Sequence, residues 1–238
     1  MDENFQNLKS LFDVKRYSEV VKTFERLQIE ERSLEDEFFY AWSLFYLRRM
    51  ESSLNVALRL LSKNEIKASE LLAHIVAYGF NNDIYLIYLC KNYKDNAIIC
   101  DVLAVRAMKK NHCFLFEMAV NLIPNFVKKK DEDSVKFLYH VAKLLVIKGN
   151  CSDALYAIDI LNGIKRSFRN DSYYKGSVSY YLSLAYEKIG DVEKAQKEIK
   201  KARSLLKISV VSDKRRKCKT RLGEVSRWGK KISRVKAY

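Results

Sequence analysis

The sequence predicts an all-α protein built of stacked helical hairpins, and three observations carry that prediction. Structure-breaking residues are sparse: one proline, Pro124, and seven glycines stand in 238 residues, with short polar turns between long apolar-periodic runs and no β-hairpin signal. A pattern of large and small residues on one helical face returns several times along the chain. Two copies keep a fixed phase, Val20 and Leu54 lying 34 residues apart, whereas an ordinary helical bundle shares the apolar stripe but not the phase.

The first copy, near residues 1–34, places Leu8, Leu11, Tyr17, Val20, Phe24 and Leu27 on the pattern. The second, near 35–65, uses Phe38, Ala41, Trp42, Phe45, Leu54, Leu58 and Leu61. The run Glu35, Asp36 and Glu37 marks the start of its first helix, where carboxylates favour the helix dipole. From Leu54 to Ala154 is 100 residues, close to three periods, so two more hairpins fit between, although the pattern over 66–134 is degenerate. There Ala68 to Tyr78 reads as a helix with Leu71, Leu72, Ile75 and Val76 inward, and Gly79 to Asp83 as a turn. The stretch IYLIYLC at 84–90 suits a strand by composition as well as a short helix; with no partner strand in view, helix is expected. Ala97 to Met108 and His112 to Ile123 form the next hairpin, ending at Pro124. The charged run Lys128 to Asp133 reads as a solvated loop between repeats.

Near 135–165 the pattern sharpens again: Leu138, Val141, Ala142 and Leu145, then Gly149, then Ala154, Ile158 and Leu161. From Ala154 to Ala195 is 41 residues, so the connector Asn162 to Ser177 holds about two extra helical turns or a longer loop. The last copy, 176–207, is the clearest. Leu182 and Tyr186 lie four apart with the small Ser183 and Ala185 between them, which lets a neighbouring helix approach. Gly190 ends the helix because glycine takes the left-handed C-terminal geometry cheaply, and Asp191 is placed to cap the next one. Ala195, Ile199 and Ala202 then recur at intervals of four and three, with Lys194, Lys197, Glu198, Lys200 and Lys201 on the other faces.

This last unit resembles the tetratricopeptide repeat family: Leu182, Ser183 and Tyr186 fall on the packing signature of the family's first helix, and Gly190, Ala195 and Ala202 follow at family spacing. Lys207 stands about where the family's proline falls. The resemblance implies an α-solenoid over residues 1–211 that holds a protein segment in a concave groove lined by first-helix side chains. Carried onto this sequence, that groove is formed by Phe5, Phe12, Phe39, Tyr46, Tyr139, Lys143, Tyr180 and Glu187, an aromatic set of the kind that anchors peptides or helices.

Residues 212–238 differ. From 207 to 238 there are 12 Lys or Arg against two acids, Asp213 and Glu224, a net +10 of the chain's +15. Cys218, Leu222, Val225, Trp228, Ile232 and Val235 recur at helical spacing, so the segment reads as a basic amphipathic helix. Gly223 and Gly229 each cost it about 1 kcal/mol against alanine, so it needs a surface to fold on. One role is to cover the open end of the last hairpin, as repeat arrays require. Its cations Lys214, Arg215, Arg216, Lys217, Lys219, Arg221, Arg227, Lys230, Lys231 and Arg234 also suit nucleic-acid phosphates, anionic lipid or an acidic partner. No base-reading module is recognisable, so such binding would have little sequence preference.

A hydrophobic content of 48% supports a continuous core, and no segment reaches the roughly 18 uncharged apolar residues of a membrane span. No signal peptide is expected, because Asp2 and Glu3 open an already helical repeat. The five cysteines, Cys90, Cys100, Cys113, Cys151 and Cys218, are odd in number and scattered, which fits reduced thiols in a cytoplasmic protein, most of them packing residues. His74, His112 and His140 lack companions at metal spacing; His112 adjoins Cys113, but neighbours on a helix point about 100° apart. Without a phosphate-binding loop, a nucleophile elbow or an HExxH pair, the expectation is a non-enzymatic adaptor or chaperone-like scaffold without metal or cofactor, with a nucleic-acid-associated regulator as the alternative. Apolar solenoid ends leave self-association open without fixing a number.

Overall fold

The computed structural model describes residues 8–110, 112–168, 171–213 and 223–228. These are all-α, with no strand among them. The chain divides into two compact units, residues 1–103 and 104–238.

The first unit contains α1 (Leu8–Asp13), α2 (Tyr17–Arg26), α3 (Leu34–Tyr46), α4 (Met50–Leu60), α5 (Glu65–His74), α6 (Asp83–Asn92) and the start of α7 (Ala97–Lys109). From α1 to α6 each helix packs on the next, and α1 also packs on α3, the consecutive stacking of helical hairpins. Side chains start the helices: the Ser33 hydroxyl accepts from the Asp36 N–H at 3.1 Å while the Asp36 carboxylate accepts from the Ser33 N–H, a capping box at the acidic run. Asn64 and Asn82 cap α5 and α6. Leu71, Leu72, Ile75 and Val76 are buried as expected. The backbone passes from α5 into a π turn, Ile75–Gly79, and IYLIYLC is helical.

The turns repeat too. After α1, Lys15 stands at φ 64°, and after α3, Arg48 stands at φ 64°. In both, paired bonds close the helix end: Arg16 N–H to Leu11 O and Lys15 N–H to Phe12 O, then Arg49 N–H to Leu44 O and Arg48 N–H to Phe45 O. Gly190, at φ 83°, closes its helix with the same pair, Asp191 N–H to Tyr186 O and Gly190 N–H to Glu187 O. One left-handed cap therefore serves three hairpins, twice without glycine.

The inward face of α4 departs from the sequence reading. Ser53, Val56, Ala57 and Leu60 are buried, whereas Leu58 is 47% exposed and Leu54 and Leu61 are half-buried. Small residues face α3 because the helices approach closely there; the Ser53 hydroxyl donates to Ala41 O at 2.8 Å.

The second unit contains the rest of α7, then α8 (Cys113–Asn121), a 3₁₀ turn at Ile123–Asn125 carrying Pro124, α9 (Glu132–Lys148), α10 (Cys151–Ile164), α11 (Ser172–Lys188) and α12 (Val192–Asp213). From α8 to α12 neighbours again pack in sequence, and α9 also packs on α11. Asp131, Asn150, Asp171 and Asp191 cap the four long helices, each carboxylate or amide oxygen accepting the third N–H beyond it. The extra residues of the Asn162 to Ser177 connector go partly into the end of α10 and the first turn of α11, and partly into the bend between them. Gly176 is where α11 and α12 meet: a Cβ there would lie 2.7 Å from Leu206 Cγ and 3.3 Å from Leu205 Cβ.

Lysines tie successive hairpins together. Lys188, in the last turn of α11, donates to Val146 O at 3.0 Å and also to Gly149 O, closing the carbonyl end of α9. Lys148, at the same place on α9, donates to Lys110 O. Each cation thus satisfies orphan carbonyls and sits at a dipole's negative end.

Residues 223–228 form a helical turn. Val225 is fully buried in a cluster with Ala195, Ile199, Ala202 and Leu206 of α12, and Trp228 packs against the same cluster.

Candidate functional site

The first helices of the N-terminal hairpins bring aromatic rings together into one surface. Phe39, Trp42 and Tyr46 lie three and four residues apart on α3, hence on one helical face. Phe12 of α1 packs on Phe39 at 5.1 Å between ring centroids and meets Tyr17 edge-on at 5.6 Å. Tyr17 stacks on Tyr46 at 4.5 Å, Tyr46 continues to Trp42 at 5.9 Å, and Trp42 meets His74 of α5 edge-on at 4.9 Å. Tyr78 in the π turn ends the ladder beside His74. The rings therefore run unbroken from α1 through α3 to α5.

The members differ in availability. Tyr46 is 47% exposed, and Phe12, Tyr17, Phe39, Trp42 and Tyr78 are half-buried. Phe12 and Phe39 also pack against the core formed by Leu8, Leu11, Val20, Phe24 and Leu27. Burial, with the Tyr17 phenol adding to it, pushes the Tyr46 phenol above its ordinary range. Burial likewise holds the His74 imidazole below its usual value, against the opposing pull of the Glu70 carbonyl. Its Nδ1 lies 2.9 Å from Glu70 O, so Nδ1 carries the proton and the neutral ring completes the ladder. The surface is aromatic and edged by the hydroxyls of Tyr17, Tyr46 and Tyr78.

The remaining expected groove residues are placed differently. Phe5 lies outside the described residues. Tyr139 is only 4% exposed: it is a packing post ringed by Tyr174 at 5.6 Å, Tyr181 at 6.1 Å and Phe168 at 6.2 Å. Lys143 sits half-buried with Nζ 5.6 Å from the Tyr181 ring. Tyr180 packs against the α12 cluster, and Glu187 is half-buried on α11. Tyr17, Trp42, His74 and Tyr78 were not expected on the surface. The spacing of Trp42 from Phe39 and Tyr46 carried the signal for that residue; of the other three, Tyr17 opens α2, His74 ends α5 and Tyr78 lies in the π turn.

Of the basic candidates, Arg227 is exposed. Lys214, Arg215, Arg216, Lys217, Lys219, Arg221, Lys230, Lys231 and Arg234 lie outside the described residues. Among the cysteines, Cys90 and Cys100 are buried while Cys113 and Cys151 are exposed, so only the first pair fills packing positions. The Cys90 thiol is held well above its usual range by its hydrogen bond with Cys100 and by burial, which keeps it protonated and unreactive. Among the described residues no group of three or more His, Cys, Asp or Glu is placed to hold a metal, and no helix is long and apolar enough to cross a membrane.

Fold and surface together define an all-α helical-repeat protein with an aromatic face. No family model and no curated protein matches the chain. Two solved structures are similar to it: MamA MSR-1 C2, with 16% identity, 85% of this chain and 94% of that one covered and a TM-score of 0.43, and DHF58 filament, with 17% identity, 94% and 97% covered and a TM-score of 0.22. Scores this low carry no functional argument, and the fold rests on the helices described above.

Proposed function

We propose that this chain is a non-catalytic adaptor or chaperone-like scaffold inside the cell, which grips a segment of another protein on the aromatic first-helix face around Trp42 and Tyr46. The observation that carries the reading is the unbroken ring ladder from Phe12 to Tyr78, open to solvent at Tyr46. Large rings with few rotatable bonds lose little entropy on contact, so such faces concentrate binding energy. The basic segment 212–238 follows the repeats as a cap, a reading favoured by Val225 docking on α12. Phosphate contact through its cations is the second reading, favoured by the net +10 of residues 207–238 and by the exposure of Arg227.

Cross-linking capture with the wild-type chain and with Trp42→Ala and Tyr46→Ala variants, each with and without nuclease, tests both. The expected result is a protein partner recovered regardless of nuclease and about tenfold or more depleted in both variants, as for a truncated hot spot, at unchanged helical content by circular dichroism. Equal recovery with the variants would end the aromatic-face reading, and recovery abolished by nuclease would move the function to the C-terminal cations.

A further inference from the structure

The 41-residue spacing that set the last two repeats apart has a structural consequence. Where the Asn162 to Ser177 connector bends, a cleft of about 760 Å³ opens between the start of α9 and the end of α10. A second cavity of about 460 Å³ continues it past Lys130, Val135 and Ser167 toward Phe168 and Tyr174. The first is within the roughly 300–1,000 Å³ of ordinary ligand sites. Its floor is aliphatic, with Val135, Leu138, Ile160 and Ile164, and two of its apolar walls stand open to solvent, Val127 at 52% and Tyr156 at 39% exposure.

Two further features separate this cleft from a packing defect. Gly163 lines it, and a Cβ at that position would meet nothing within 4 Å; neither packing nor a left-handed backbone asks for glycine, yet glycine in a helix is unfavourable. A large side chain at this position would enter the cleft. The rim is cationic on one side: Lys129, Lys130 and Arg166 face it against Asp159. Lys129 lies over the Phe126 ring, whereas Lys130 and Arg166 make no ion pair among the described residues. In the continuation, Glu132 is paired with Lys136 at 2.7 Å and Asp171 accepts the cap bond of α11, and neither forms an ion pair with Lys130 among the described residues.

We infer that this cleft in the C-terminal unit is a second docking site, for an extended, acidic segment of a partner protein whose aliphatic side chains enter the floor and whose carboxylates meet Lys130 and Arg166. Two adjoining cavities that share Lys130, Val135 and Ser167 fit an extended chain better than one compact molecule. Attraction at an exposed rim supplies selectivity and association rate, and is screened by salt. The inference shares no residue with the aromatic face of the N-terminal unit, so either can fail alone.

The test is fluorescence anisotropy on the full chain with a fluorescein-labelled peptide of two leucines flanked by glutamates, beside its lysine-flanked counterpart. The glutamate peptide is expected to bind and the lysine peptide to bind about tenfold or more weakly, with the difference shrinking as sodium chloride rises. Lys130→Glu combined with Arg166→Glu should reverse the preference. Gly163→Phe should abolish binding at unchanged helical content, because the ring enters open space; Gly163→Ala, whose methyl leaves the cleft open, should retain it. Equal affinity for the two peptides, or full binding by Gly163→Phe, overturns the inference, as does displacement by laurate of a peptide insensitive to the charge reversal. Loss of binding in Tyr46→Ala with the cleft variants silent would place the peptide on the aromatic face and remove the cleft alone.

Discussion

At the scale of single residues, the left-handed caps show how a repeat survives without its signature amino acid. Gly190 occupies that conformation cheaply, but Lys15 and Arg48 hold the same φ with a Cβ, at a cost of roughly 1–2 kcal/mol for an ordinary L-residue. The cost is borne because the paired carbonyl bonds of the cap fix the turn between α1 and α2 and between α3 and α4. Replacing Arg48 by glycine removes that cost and returns part of it as extra freedom of the unfolded chain. Arg48→Gly is therefore expected to stabilise the protein by about 0.5–1 kcal/mol, read as a higher urea midpoint at unchanged slope. A lower midpoint would mean that the Arg48 side chain supplies more than the backbone loses. Glycine spacing alone finds the Gly190 turn and passes over its two relatives, since the feature that repeats is a dihedral angle and not a residue type.

At the scale of helices, close approach decides the packing. On α11 the small residues Gly176, Ser177, Ser179, Ser183 and Ala185 are all buried, and the missing Cβ of Gly176 is filled by Leu206 of α12. The hydroxyls of Ser177 and Ser179 have no hydrogen-bond partner among the described residues, so these serines are there for their size. Gly176→Val would force Leu205 and Leu206 off their seats and is expected to destabilise by about 1–3 kcal/mol, the usual range for overpacking. Ser179→Ala, which removes an unpaired buried oxygen, should be neutral or stabilising. Both are read by thermal or urea unfolding, and a neutral Gly176→Val would show that α12 moves without cost. The same principle explains what the sequence concealed in α4. Apolar residues occur there on both faces, so Leu54, Leu58 and Leu61 drew the inward stripe, while the helix turned Ser53 and Ala57 toward α3 because only small side chains fit that distance. Large residues announce a core, and the small ones that permit contact are legible only where they alternate with large ones, as around Leu182 and Tyr186.

At the scale of the chain, the helical hairpins were legible from periodicity and caps, and so was the displaced connector beside the cleft; the aromatic face was legible only in part. Tyr139 was expected on it because it occupies a first-helix position, yet the lengthened connector carries Phe168 and Tyr174 over that ring and buries it. Tyr78 joined the face because α5 runs on into a π turn, a local geometry that apolar spacing does not encode, and it sits there beside His74 at the end of α5. The C-terminal segment shows the reverse case, since amphipathic spacing alone placed Val225 and Trp228 on one apolar stripe, and both lie against α12. If that docking caps the repeats, Val225→Ala should lower stability by about 1–3 kcal/mol. Exchanging the exposed Arg227 for Gln should leave stability within about 0.5 kcal/mol of the wild-type value. Urea unfolding of the two variants, beside nucleic-acid binding measured across a salt series, separates the structural duty of the segment from an electrostatic one. A cap loses stability with Val225 and nothing with Arg227, whereas a phosphate-binding arm keeps its stability in both and, with Arg227→Gln, shows a shallower dependence of affinity on salt.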